Sequence, residues 1–280
     1  MTTLPRLEAT DVPISRTCPR EILFEEIRRS KPCFDALGIG FSVSRIKVRF
    51  RDGRQRRLPY FACCYNVENL GNVNIVAFYY PLIADWALLE GDISTYRQRI
   101  RSAIREEMIH AVQVTTVKKR YDQSPNLVAR FENAEDYYES LLGRIIDELT
   151  RSEGGQRLVL TAAKLYYEDW TINSMEKLRR ADNKYRGRNG YLVSELIRQL
   201  VQIRFGEPTS EEAKGGAWDK NRLFYVGNFG TTENLLRSMA ATLRQTVPEL
   251  AHMSPTLIEA LTEIEETIQA IEPGFGFARL

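Results

Sequence analysis

The chain has 280 residues, of which 43% are hydrophobic and 27% charged, and its net charge is +2. This composition is typical of a soluble globular protein, the length allows one large domain or two, and the charge favours no class of partner. No apolar run is long enough to cross a bilayer, and the N-terminus lacks the apolar region of a secretory signal. The sequence therefore predicts a cytoplasmic protein that has no contact with membranes.

The chain begins with an arm, residues 1–18, that carries prolines and threonines. A helix is predicted from Pro19, because proline suits the first position of a helix, to Gly38. The four cysteines form no C-x-x-C pair, and Cys63 and Cys64 point to opposite faces if their segment is a strand. We expect reduced, partly buried thiols rather than a metal site.

The segment after this helix predicts strands. In "RIKVRF" the apolar residues Ile46, Val48 and Phe50 alternate with basic ones, which indicates a strand with one buried face. The dipeptide Asp52-Gly53 is typical of a tight hairpin turn, and "NVNIVAFYY" predicts a further strand. A small antiparallel sheet is therefore expected before the next helix.

A long helix, running roughly from residue 92 to 116, contains the string "IREEMIHAVQ". Glu106 and His110 are one helical turn apart, so their side chains project from one face. Glu107 lies beside them, rotated by roughly 100°. Two metal-binding side chains one turn apart, with a carboxylate beside them to take up a proton, are what a metal-bound water requires.

These features resemble the front half of zincin metallopeptidases: strands, then a helix reading "SAIREEMIHAVQ" where the family reads H-E-x-x-H-A-x-Q. In that family a third ligand, usually glutamate, comes from a second helix downstream. The segment "FENAEDYYESLLGRIIDEL" stands in the corresponding place, and the resemblance makes Glu139 the third ligand, with Glu135 as the competitor. It also implies a zincin-like α+β domain over residues 19–152, followed by a helical region over 153–280.

The resemblance implies a metal-dependent peptidase. Glu106, His110 and Glu139 would hold zinc, Glu107 would be the general base, and Asp147 or Glu148 would orient a ligand. Glutamate replaces the first histidine of the family motif, which favours harder ions such as manganese or iron and weakens the activation of water. The alternative is an inactive zincin-like protein that serves binding or assembly, for example in a phage.

Two further hypotheses come from other residues. The paired strings Glu107-x-x-His110 and Glu249-x-x-His252 are typical of ferritin-like di-iron proteins, although Pro248 and Pro255 leave little room for the second helix. A basic strand face and hairpin also predict a surface for nucleic acid or an acidic protein, with a second basic run at residues 177–190. The residues of the hairpin surface are Arg45, Lys47, Arg49, Arg51, Arg54, Arg56 and Arg57.

From about residue 155 the periodicity is helical, with glycine- or proline-marked loops between the helices. The sequence thus predicts an α+β fold: a small antiparallel sheet packed on the zincin-type helix, followed by a mainly helical C-terminal half. The substrate would be a peptide or protein.

Overall fold

The computed structural model describes the backbone of eleven segments of the chain. They are residues 19–44, 48–49, 55–56, 62–67, 72–78, 93–167, 169, 171–185, 189–205, 239–246 and 249–271. The predicted arm and the predicted hairpin turn lie outside these segments. For the strands, the structure describes the backbone and not the side chains.

Helices make up most of the described residues. They are α1 (Pro19–Ala36), α2 (Ile93–Gln123), α3 (Pro125–Arg130), α4 (Ala134–Leu149), α5 (Glu153–Tyr167), α6 (Met175–Tyr185), α7 (Asn189–Arg204), α8 (Leu250–Met253) and α9 (Pro255–Ile271). Residues 239–246 are also helical. The strands are β1 (Gly40–Ser44), β2 (Val48–Arg49), β3 (Gln55–Arg56), β4 (Ala62–Val67) and β5 (Asn72–Phe78).

The predicted α+β fold with an antiparallel sheet is wrong, because the described part of the chain is mainly helical. The short strands do not form one antiparallel sheet either. Strand β5 lies between β1 and β4, parallel to β1 and antiparallel to β4, while β2 and β3 form a separate antiparallel pair. Alternation of apolar residues predicts that a segment is extended, but the partner of a strand depends on distant parts of the chain.

Four helices form the centre of the molecule. Each of α2, α4, α7 and α9 contacts the other three, and we call this group the four-helix core. The helix predicted from Pro19 is confirmed as α1, which packs on α2 with Ile22 and Phe34 buried. The apolar interior is continuous from α1 to α9, so helices of both predicted regions, 19–152 and 153–280, share it.

Caps fix two of the core helices. The side chain of Asn133 accepts a hydrogen bond from the backbone N–H of Asp136 at 2.9 Å, which begins α4. The carboxylate of Glu148 accepts bonds from the backbone N–H of Thr256 at 3.1 Å and from the Ser254 hydroxyl at 2.7 Å. Glu148 therefore satisfies the first turn of α9 and ties it to the end of α4.

A buried ionic contact joins α1 to α2. Glu26 is only 3% exposed and accepts hydrogen bonds from Arg97 at 2.8 Å and from Arg101 at 2.7 Å. Glu25, the preceding residue, also pairs with Arg97 but is 34% exposed. A buried carboxylate depends on its partners far more than an exposed one, because it has lost its water.

We expect Glu26→Gln to lower the free energy of unfolding by about 1–3 kcal/mol, because its hydrogen bonds with Arg97 and Arg101 are weakened inside the protein. The matched change Glu25→Gln should have a smaller effect on the free energy of unfolding, since that carboxylate keeps solvent contact. Urea denaturation of both variants measures the difference. Equal losses would contradict a special role for Glu26.

Candidate functional site

The predicted site residues of α2 face helix α7. Contacts pair Glu106 with Arg198, His110 with Glu195, and Gln113 with Ser194, so the two helices run in opposite directions. We call this contact the polar seam. Its members on α2 and α7 are Ser102, Glu106, Glu107, His110, Gln113, Ser194, Glu195, Arg198, Gln199 and Gln202.

Both ring nitrogens of His110 are engaged. The amide of Gln113 donates from Nε2 to the carbonyl oxygen of Ser194 at 3.0 Å, so its oxygen must face the ring. That oxygen lies 2.9 Å from Nδ1 of His110, which fixes a proton on Nδ1. The second nitrogen, Nε2, lies 3.0 Å from Oε1 of Glu195 and points directly at this carboxylate.

The carboxylate of Glu195 is shared between His110 and Arg198. Its second oxygen, Oε2, accepts bonds from Nε and Nη2 of Arg198 at 2.9 and 2.6 Å. Arg198 is completely buried, and its Nη1 donates to the amide oxygen of Gln202 at 2.6 Å. Its Nε also lies 3.8 Å from Oε1 of Glu106, so the guanidinium is placed between two carboxylates.

The seam shifts the pKa values of its acids and its base. Burial raises the pKa of Glu107 to about 7; Glu106 and Glu195 add to this, and His110 and Arg198 oppose it. Burial lowers the pKa of His110, but the hydrogen bond and charge of Glu195 outweigh it and raise the pKa to about 9. Burial raises the pKa of Glu195, but Arg198 and His110 together hold it well below its ordinary value. His110 is therefore a cation and Glu195 an anion at neutral pH.

The structure places the other predicted residues elsewhere. Glu139 and its competitor Glu135 are exposed on α4. Tyr138 of the same helix contacts the seam, because its hydroxyl donates to Ser194 at 3.1 Å. Asp147 is exposed, and Glu148 caps α9. The described residues contain no group of three His, Cys, Asp or Glu side chains placed to hold a metal ion.

Two metal-type ligands do come together. Ligands of one tetrahedral zinc ion, at about 2.0–2.2 Å from it, lie roughly 3.3–3.6 Å apart. His110 Nε2 and Glu195 Oε1 are 3.0 Å apart, which is a hydrogen-bond distance, so these two atoms would separate slightly around an ion. A histidine that binds a metal usually donates its other N–H to an oxygen, as His110 does to Gln113. An imidazole and a carboxylate are ligand types that zinc accepts, and an ion bound between His110 and Glu195 would replace the Nε2 proton.

The remaining residues of the other sequence predictions lie outside the polar seam or outside the described residues. Glu249 and His252 are exposed at the short helix α8, outside the four-helix core, so the string that faces Glu107-x-x-His110 in the core is Glu195-x-x-Arg198. The side chains of the predicted basic hairpin lie outside the described residues. Cys33 is buried with a free thiol, and burial raises its pKa. The thiols of the other three cysteines fall outside the described part of the chain.

Glu195 and Arg198 belong to no sequence motif, and the sequence of their helix shows only general helical periodicity. The signal that identifies them is the spacing of polar residues within it: Glu195, Arg198, Gln199 and Gln202 recur at three- and four-residue steps and form one stripe. A polar stripe on an otherwise buried helix indicates a polar partner inside the protein.

No protein-family model, curated protein or solved structure matches the chain. The resemblance to zincins therefore stays a prediction from the residues of α2. Among the described helices, none has the length and apolar character needed to cross a membrane.

The raised pKa of Glu107 predicts a pH dependence of stability in protein kept metal-free with EDTA. A carboxyl whose pKa rises from 4.5 to about 7 on folding stabilises the fold below pH 4.5 and loses this contribution as the pH rises through 7. Between about pH 5 and 6.5 the wild type should lose on the order of 1–2 kcal/mol through this group.

We expect Glu107→Gln, which is neutral at every pH, to lack this decline in urea denaturation. Glu139→Gln is the matched control, because it removes an exposed glutamate of α4 and leaves Glu107 in place. A decline of the same size in Glu107→Gln and in the wild type would show that another group causes it.

Proposed function

We propose that the polar seam is the site of a metal-dependent hydrolase in which His110, Glu195 and Glu106 bind the metal and Glu107 is the general base. The observation that supports this most directly is the setting of His110. Gln113 holds its Nδ1 proton, and its Nε2 lies 3.0 Å from a carboxylate oxygen of the facing helix. In this proposal Glu195 is the third ligand, in place of Glu139, which the resemblance to zincins implied.

Three further residues of the seam act on the ligands or on the reaction in this proposal. Gln113 fixes the tautomer in which Nε2 carries the lone pair once its proton leaves. In the metal-free protein, Arg198 holds the carboxylate of Glu195 through two hydrogen bonds. Glu107, with a pKa of about 7, is poised to accept a proton near neutral pH.

The metal ion would lower the pKa of a bound water and polarise a carbonyl group of the substrate. Zinc is the ion that the family resemblance implies, and a set of two carboxylates and one imidazole also suits manganese or iron. The resemblance of α2 to zincins makes a peptide or protein the proposed substrate.

Metal affinity of two matched variants tests the choice of ligand. We expect Glu195→Gln to weaken zinc binding by more than about 100-fold, beyond the 10–100-fold typical of residues that only support a ligand. Glu139→Gln should bind zinc like the wild type, because Glu139 is exposed on α4. Titration against a chelating dye measures both constants, with circular dichroism as the control for folding. Loss of affinity in Glu139→Gln alone would restore the ligand set predicted from the sequence.

The second candidate is a binding or assembly protein without catalysis, in which the seam only holds helices together. The observation that favours it is Arg198, a fully buried cation already paired with the carboxylates. A cavity of about 20 Å³ lined in part by Gln113 and Tyr138 has room for about one water, not for a peptide. Wild-type protein that binds no zinc in the titration would favour this function.

A further inference from the structure

Three buried side chains of the polar seam have polar atoms without a hydrogen-bond partner among the described residues. They are the hydroxyl of Ser102, both amide atoms of Gln199, and Nε2 of Gln202. Gln199 and Gln202 are completely buried and Ser102 is 7% exposed. A folded protein rarely leaves such atoms unpaired, because they have lost their bonds to water. Their presence side by side therefore calls for a physical reason.

All three belong to the same end of the seam as Arg198. Gln199 and Gln202 share the stripe of α7 that carries Arg198, and Ser102 lies one turn before Glu106 on α2. Since Glu106 faces Arg198 and the helices are antiparallel, Ser102 comes opposite Gln202. By this register, Ser102 and Gln202 lie toward the end of the seam that is away from Gln113 and Ser194, and Gln199 directly follows Arg198 in the chain.

The guanidinium of Arg198 also occupies the space between Glu195 and Glu106. Its Nε is 2.9 Å from one carboxylate and 3.8 Å from the other, and both carboxylates must approach one metal ion in the proposed site. In this position the guanidinium, and not a metal ion, joins the two carboxylates. A metal ion and this guanidinium would neutralise the same pair of carboxylates.

We propose that Arg198 is an internal cation that competes with the metal ion for Glu195 and Glu106, and that Gln199 and Ser102 accept its guanidinium when the metal binds. This inference rests on the proposed function. In moving, Arg198 would keep its bond to Gln202 and would exchange two acceptor sites on Glu195 for two unpaired oxygens, Oε1 of Gln199 and Oγ of Ser102. The two bonds to Glu195 are then replaced by two others.

Zinc affinity of the full-length protein, measured by competition with a chelating dye, tests this exchange. Arg198→Gln removes the competing charge, and we expect it to bind zinc at least about tenfold more tightly than the wild type. If Arg198 only supports Glu195, the same change should weaken binding by about 10–100-fold. Weaker or unchanged binding would overturn the proposal.

Gln199→Leu tests whether the guanidinium of Arg198 moves to Gln199 when the metal binds. This test remains valid if the variant Arg198→Gln does not fold. It removes unpaired polar atoms, so the metal-free variant should melt at a higher temperature than the wild type. It also removes an acceptor that Arg198 needs, so zinc binding should weaken by about tenfold. A structural role of Gln199 would lower the melting temperature, and unchanged zinc affinity would overturn the proposal.

Arg204→Gln is the matched control, because Arg204 lies on the same helix but pairs with Glu265 on α9. It should bind zinc like the wild type. Zinc binding by the wild type without the expected changes would reject the exchange and leave the hydrolase proposal standing. No zinc binding by the wild type, Arg198→Gln or Gln199→Leu would reject both.

Discussion

The alignment of α2 and α7 in the four-helix core depends on the carboxylate of Glu195. Glu195 is inside the protein, where an unpaired negative charge costs several kcal/mol, and it is stabilised by His110 from α2 and by Arg198 from its own helix. The contact with His110 therefore fixes the register of α2 against α7. Gln113 and Ser194 extend the same register by one turn. Hydrophobic packing around the seam is not directional, so these polar contacts select one alignment among several.

This arrangement also accounts for the chemistry of the site. The seam brings three carboxylates, Glu106, Glu107 and Glu195, close to two cations, His110 and Arg198. Near neutral pH the charges balance when Glu107 holds a proton, which agrees with its raised pKa. A divalent ion that displaced the proton of His110 would allow Glu107 to ionise. A metal ion that neutralises these carboxylates would make the protein a hydrolase. If only His110 and Arg198 neutralise them, the seam serves to hold the helices together.

The sequence predicted the parts of the structure that depend on local patterns. Helix α2 was expected from apolar spacing, and Glu106, Glu107 and His110 do lie together on it, near α7. The pairing of β1 with β5 and the mainly helical fold were missed, because both depend on contacts between distant segments. Glu195 was missed for the same reason: it is 85 residues away from His110 and has no motif of its own. A family pattern therefore pointed to Glu139, which is exposed.

The central claim is that His110 exchanges the proton on Nε2 for a metal ion, and nitrogen NMR of the ring tests it most directly. The chain has two histidines, and exposed His252 provides the reference signal. In metal-free protein at neutral pH we expect His110 to be doubly protonated. One equivalent of zinc should remove the Nε2 proton, leave the proton on Nδ1, and leave His252 unchanged. A ring of His110 that stays doubly protonated in the presence of zinc would contradict the account.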